Sequence, residues 1–165
     1  EIREEKIFLK AHIMRKQKHT AAFEHNKKVL VIFSAEHTYV SASWYQQKNI
    51  ASTWNYQAVH AQGILHFKDE NFLHDLLVQL TDKFDNNMHS PALVQHMEEG
   101  YVERLMKSII AFEIEITSIE HVFKLSQNRD EKTYENIIEH LEMGDDEAQK
   151  IAAAMKERQD KVFTK

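Results

Sequence analysis

The sequence has no cysteine, one proline and three glycines in 165 residues. Without cysteine there is no disulfide framework, no thiolate nucleophile and no sulfur ligand for a structural zinc site. That composition fits a reducing, cytoplasmic setting. Three glycines leave little room for a Walker loop, a dinucleotide fingerprint or a nucleophile elbow. None of these patterns occurs. No apolar run approaches the roughly 18 residues of a membrane-spanning helix, so no membrane partner is expected. Positive charge is also scarce: 21 Lys and Arg against 26 Asp and Glu give a net charge of -5. A free-standing nucleic-acid binder is more often basic on at least one face. Neither a helix-turn-helix nor a basic recognition helix is legible.

Some things are plentiful. Hydrophobic residues make up 42% and charged residues 28%, ordinary values for a globular chain long enough to bury a core. Eleven histidines invite a metal reading. They are scattered along the chain, no His-Glu-x-x-His pattern occurs, and no integral metal site is expected. No carboxylate pair or nucleophile–base arrangement marks a catalytic residue. The stretch Tyr39–Gly63, YVSASWYQQKNIASTWNYQAVHAQG, is the most distinctive. It holds both tryptophans, Trp44 and Trp54, and Tyr39, Tyr45 and Tyr56. Ser41, Ser43, Ser52, Thr53 and Asn55 lie among those rings. Rings beside small hydroxyls and an amide suit a flat ligand with a polar edge. The same residues suit cross-strand core pairs in a hairpin.

Periodicity outlines the elements. Residues 6–14 read as a strand. Arg15, Lys16, Lys18 and His19 follow it, ahead of a short helix over 20–27. Four such groups at a helix start could hold a phosphate, or form a solvated basic turn. Val29–Phe33, VLVIF, reads as a strand buried on both sides. A turn at Ser34–Glu36 and a strand over 37–43 are expected next. A loop over 46–50 leads into a long strand over 54–67, where Gly63 suggests a bulge or a close backbone approach. Asp69 caps a helix to about Phe84, with Phe72, Leu76, Leu77 and Leu80 as its buried stripe. Ser90-Pro91 is read as the start of a helix running to Lys107 with a break near Gly100. Ile109–Ile119 alternates strictly: Ile110, Phe112, Ile114 and Ile116 face a core, and Glu113 and Glu115 face water. Residues 123–125 continue the sheet. Asn128 or Asp130 caps a helix to Glu142. Gly144 ends that helix, and Asp145 caps a last one to about Lys161. Its few apolar positions predict loose docking or packing on a partner subunit.

A resemblance ties these pieces together. YVSASWY at 39–45 followed by ASTWNYQAVHAQG at 51–63 resembles the signature of the PaiB family, FMN-binding negative transcriptional regulators with a split β-barrel. AHIMR at 11–15 and FEIEITSIEHVFKLSQNR at 112–129 match in the same order. Alanine and serine stand at 42 and 52 where the family usually has proline. Lys16–Thr20 replaces an Ala-Asn-Pro stretch. The resemblance implies an α+β, mainly β fold: a split β-barrel over 1–129 with peripheral helices, and a C-terminal helical extension over 130–165. Family members carry further barrel strands ahead of this strand, so the resemblance implies that N-terminal barrel strands are missing from this chain and that a barrel edge is left unpaired. It implies non-covalent FMN, with the phosphate near Arg15, Lys16, Lys18 and His19. The ring would lie near Ser43, Trp44, Tyr45, Thr53, Trp54 and Asn55, with His60 able to bond a flavin edge. Lys124 and Gln127 are candidates for the FMN site or a dimer seam. A cytoplasmic homodimer acting on DNA or on a transcription partner protein follows. The alternatives are a flavin-dependent oxidoreductase and a haem-binding split-barrel protein.

Overall fold

The computed structural model describes residues 1–163. The strand alternation seen in the sequence produces β1 (Ile2–Arg3), β2 (Lys6–Met14), β3 (Lys28–Val40), β4 (Thr53–Phe67) and β5 (Ile109–Lys124). They form one sheet in the order β1-β2-β5-β4-β3. β1 and β3 end that order, so the sheet is open rather than closed. β2 pairs antiparallel with β1 and with β5, with Ala11 opposite Phe112. Helices complete a mixed α+β fold: α1 (Lys18–His25), α2 (Glu70–Asp85), α3 (Glu99–Met106), α4 (Glu131–Glu142) and α5 (Asp146–Phe163).

The chain divides into two compact units, Glu1–Val31 with Ala61–Ile119, and Ile32–His60 with Glu120–Lys165. In the first, Leu65, Phe112 and Ile114 form a core joined by Leu9, Ile13, Phe23, Val29 and Val31. A second cluster sets Ala111 against Leu73 and Leu76 of α2. β5 is therefore covered on both faces near its start, which corrects the one-sided reading. Glu113 is buried rather than solvent-facing, and pairs with Arg3 and with Lys68 at 3.2 Å. Glu115 is partly covered and bonded to Lys6 at 2.6 Å, which holds its carboxyl below the ordinary value. The cause is that helix α2 occupies the second face, which the strand's own alternation cannot reveal. Asp69 caps α2 by accepting from the Phe72 N–H at 2.9 Å. Gly63 has no room for a side chain: a Cβ there would lie 2.5 Å from the Glu115 carbonyl oxygen.

Two further expectations change in detail. β3 runs unbroken through Ser34–Glu36, and its VLVIF segment is not buried on both sides. Val29 and Val31 are half-buried, while Leu30, Ile32 and Phe33 are exposed. A strand at the end of a sheet order has one flank without a neighbouring strand, and a hydrophobic run alone cannot show that. Ser90-Pro91 starts a turn, not a helix. The Ser90 hydroxyl accepts from the Ala92 N–H at 3.1 Å, a 3-10 turn follows at Val94–His96, and α3 begins only at Glu99. The serine satisfies the backbone locally, the alternative such residues offer to helix initiation.

The second unit is built on the α4–α5 hairpin. Asp130 caps α4 by accepting from the Thr133 N–H at 2.9 Å. Tyr134, Ile137, Ile138 and Leu141 of α4 meet Ala148, Ile151, Ala152 and Met155 of α5, with Val40, Tyr45 and Leu125. Helix α5 is thus firmly docked within its own chain, correcting the expectation of a loose or partner-bound helix. Its stripe is narrow because two of the four positions are alanines, which permit close helix approach at little side-chain entropy cost. The Tyr134 hydroxyl donates to the Met155 carbonyl at 2.9 Å.

Candidate functional site

The aromatic stretch separates into a covered part and an open part. Ser41–Ser43 begins with a 3-10 turn at Ala42–Trp44, in which the Ser41 and Ser43 hydroxyls lie 2.8 Å apart. Ser52 accepts from the Ala42 N–H at 2.9 Å. Trp44 stacks on His140 of α4, with centroids 4.9 Å apart and planes at 19°. Tyr45 is buried, and the Arg129 guanidinium lies 4.4 Å from its ring centroid. Both the Tyr45 hydroxyl and Arg129 Nε are buried without a hydrogen-bond partner among the described residues.

Asn55 points inward. It is fully buried, accepts from the Ser126 hydroxyl at 3.0 Å and donates to the Met155 sulfur at 3.5 Å. Ser126 holds a left-handed φ of 61°, so this network fixes a turn that a non-glycine residue adopts at some cost. The motif after β5 is tied down alongside it. Lys124 donates to the Thr53 hydroxyl. Gln127 accepts from the Leu125 N–H at 2.7 Å and donates to the Phe123 carbonyl.

Trp54 belongs to the open part. It is 51% exposed, where a core tryptophan would be covered. Its ring stacks on His37 of β3, with centroids at 5.7 Å and planes at 25°, and Tyr39 meets it edge-on at 6.0 Å. Ser34, Ala35, His37, Trp54, Tyr56, Gln57 and Ala58 line a cavity of about 420 Å³ there. That volume falls in the range of small-molecule sites, roughly 300–1,000 Å³. Ser34, His37 and Gln57 were missed in the sequence. The expected turn at Ser34–Glu36 hid that Ser34 and His37 lie on one continuous strand, β3. His60 is half-buried on β4 and does not line this cavity.

Arg15, Lys16, Lys18 and His19 are exposed in the first unit, between β2 and α1. The turn is well anchored. The Arg15 N–H donates to the Ser108 carbonyl at 2.8 Å, and its guanidinium donates to the Ile109 carbonyl at 3.0 Å. The Thr20 hydroxyl, on α1, donates to the Met14 carbonyl at 2.8 Å. Gln17 at the N-cap makes no side-chain cap bond, so the first N–H groups of α1 keep their capacity for an anion.

A family model described as "Putative FMN-binding domain" matches residues 1–118. The chain belongs to this family, the PaiB type. FMN is the cofactor that membership supports. The chain is 38% identical over 120 residues to "Protease synthase and sporulation protein PAI 2" of Bacillus subtilis, an alignment covering 73% of this chain and 58% of that protein. It is also similar to an uncharacterised protein of Emericella nidulans, 29% identical over 170 residues, covering 93% of this chain and 68% of the relative. Among solved structures, a conserved hypothetical protein of Mycobacterium tuberculosis aligns with a TM-score of 0.45 at 10% identity. That alignment covers 74% of this chain and 64% of the other. The chain thus spans rather more than half the length of its Bacillus subtilis relative. Among the described residues, no helix is long and apolar enough to cross a membrane, and no group of three His, Asp or Glu side chains could hold a metal ion.

Proposed function

We propose that this PaiB-type chain binds FMN non-covalently and acts as a cytoplasmic, homodimeric negative regulator of transcription. The observation that carries the flavin part is Trp54, half exposed over an aromatic cavity in a chain of an FMN-binding family. Each unit, taken by itself, carries residues whose chemistry suits a part of the cofactor. The exposed Arg15, Lys16, Lys18 and His19 turn, with the open N–H groups of α1, suits the phosphate. The shelf around Trp54 suits the ring. Thr53 and Asn55 flank Trp54 on β4, Lys124 bonds Thr53, and Asn55 and Gln127 make their bonds within the protein; Ser43, Trp44 and Tyr45, in the covered part of the aromatic stretch, are the remaining candidates for the ring. His60, on β4 outside this cavity, is a further candidate for a flavin edge. Bound FMN supplies hydride or one-electron chemistry, while the protein binds and orients it.

Residues 1–129 would form the flavin-binding domain and 130–165 its helical extension. Exposed Leu30, Ile32 and Phe33 on β3 support a homodimer, because an uncovered apolar sheet edge favours pairing with another copy. The net charge of -5 favours repression through a protein partner over direct DNA contact. Titration of the purified chain with FMN, followed by flavin fluorescence quenching, tests the cofactor; no saturable quenching removes it. Light scattering that finds only monomer removes the dimer. Deletion of the gene with no transcript raised removes the regulator.

A further inference from the structure

Two of the sequence motifs end beside each other in the second unit. Tyr45 closes YVSASWY and Arg129 closes KLSQNR. The Arg129 guanidinium rests over the Tyr45 ring, 4.4 Å from its centroid. Both backbones are tied. The Tyr45 N–H donates to the Ala42 carbonyl at 3.2 Å, and the Arg129 N–H donates to the Ser126 carbonyl at 3.0 Å. The side chains are not met in the same way. Tyr45 is 8% exposed, yet its hydroxyl has no hydrogen-bond partner among the described residues, and neither has the buried Nε of Arg129. Tyr134, in the same core, does donate its hydroxyl to a carbonyl. Buried donors without acceptors cost stability, and proteins keep few of them. The Arg129 charge is also uncompensated, with no carboxylate paired to it among the described residues. Asp130, its neighbour in sequence, is committed to the cap of α4, accepting from the Thr133 N–H and hydroxyl. The acceptor common to a phenol and a guanidinium is an oxygen, and an unpaired guanidinium favours a charged one.

We propose that Tyr45 and Arg129 form a binding site for an oxyanion, a phosphate or a carboxylate group. The phenol O–H and the Arg129 Nε–H donate to its oxygens, and the guanidinium neutralises it. Both atoms are sealed from solvent while the guanidinium lies on the ring, and Arg129 is only half-buried. The anion therefore draws the long arginine side chain off the ring, exchanging a cation–π contact for charge-assisted hydrogen bonds. The site uses none of the cations of the Arg15–His19 turn, and it holds whether or not flavin binds.

The experiment follows the thermal midpoint of the full chain without flavin, in sodium phosphate and in sodium acetate, each against sodium chloride of equal ionic strength. At least one of the two anions should raise the midpoint with concentration, as binding to the native state requires. Whichever acts names the group. Arg129→Gln should lose the rise, its apparent dissociation constant weakened about tenfold or more, the scale of a charge-assisted hydrogen bond. Tyr45→Phe supplies a readout that a purely structural tyrosine would not give. In chloride it should melt at or above the parent, because it removes a buried hydroxyl that has no partner; in the active anion it should melt below. Lys16→Gln/Lys18→Gln, in the basic turn of the first unit, should keep the rise. A rise of equal size in the parent and in Arg129→Gln is a general salt effect and overturns the proposal. A rise lost in Lys16→Gln/Lys18→Gln and kept in Arg129→Gln overturns it in favour of the basic turn. So does no rise in the parent with either anion, or a Tyr45→Phe variant that melts well below the parent in chloride. Circular dichroism checks each fold. Should Arg129→Gln not fold, Arg129→Lys takes its place; it keeps the charge, loses the Nε–H and should bind the anion more weakly than the parent, and equal binding overturns the proposal.

Discussion

Replacing Trp54 with alanine separates a ligand wall from a core residue. The side chain is 51% exposed, so about half of the 1.5–3 kcal/mol gained by fully burying a large apolar side chain is at stake, roughly 1 kcal/mol. Its contacts with His37 and Tyr39 add about 0.5–1.5 kcal/mol, the range of aromatic pairs. Trp54→Ala should therefore cost about 2 kcal/mol of stability, against about 3–5 kcal/mol for a truncated core aromatic. In a chain of this size that lowers the thermal midpoint by about 4–8 °C. FMN affinity should fall by about 1–3 kcal/mol, or roughly 5- to 150-fold. Circular dichroism melting and FMN titration on the same preparation give both numbers. A variant unfolded at room temperature returns Trp54 to the core. A stable variant that binds FMN as the parent does removes the shelf from the site.

Gly63→Ala should destabilise by about 3 kcal/mol or prevent folding, because its Cβ would meet the Glu115 carbonyl and Ile114 Cγ2, both at 2.5 Å. A thermal midpoint within two or so degrees of the parent would refute the close approach of β4 to β5. Asn55→Ala should cost about 1–3 kcal/mol by leaving the buried Ser126 hydroxyl without its acceptor, with FMN affinity reduced less than in Trp54→Ala; the reverse order of effects would make Asn55 the ligand contact. Asp130 is held below the ordinary carboxylate value, mainly by the Thr133 backbone N–H and also by the Thr133 hydroxyl. Its contribution is present above the unfolded value near 3.8 and is lost as pH falls through the lower folded value, so Asp130→Asn should flatten the fall of melting temperature with acid. Parallel pH profiles for parent and variant would count against it.

Much of this molecule follows from local pattern. The strands at 6–14, 53–67 and 109–124 are written in alternation. The caps at Asp69, Asp130 and Asp145 are written in residue type. Gly63 is legible as a close approach because only glycine leaves that space free. Those signals are short-range, and a single sequence carries them whole. Membership of an FMN-binding family is equally a property of ordered motifs, and the match over 1–118 takes in the motifs at 11–15, 39–45 and 51–63 and the start of the one at 112–129.

What the sequence could not decide is which faces are covered, since that depends on residues far along the chain. Glu113 alternates like a solvent-facing residue, yet α2 and the cations of Arg3 and Lys68 enclose it. Leu30, Ile32 and Phe33 read as core, yet β3 ends the sheet order and leaves them open. Within TWNY, adjacent residues point opposite ways: Asn55 turns into the Ser126 and Met155 network, and Trp54 turns out over His37. Strand alternation set those two side chains on opposite faces. Only the packing of α5 and of the turn after β5 determined which face became core and which became a shelf open to a ligand.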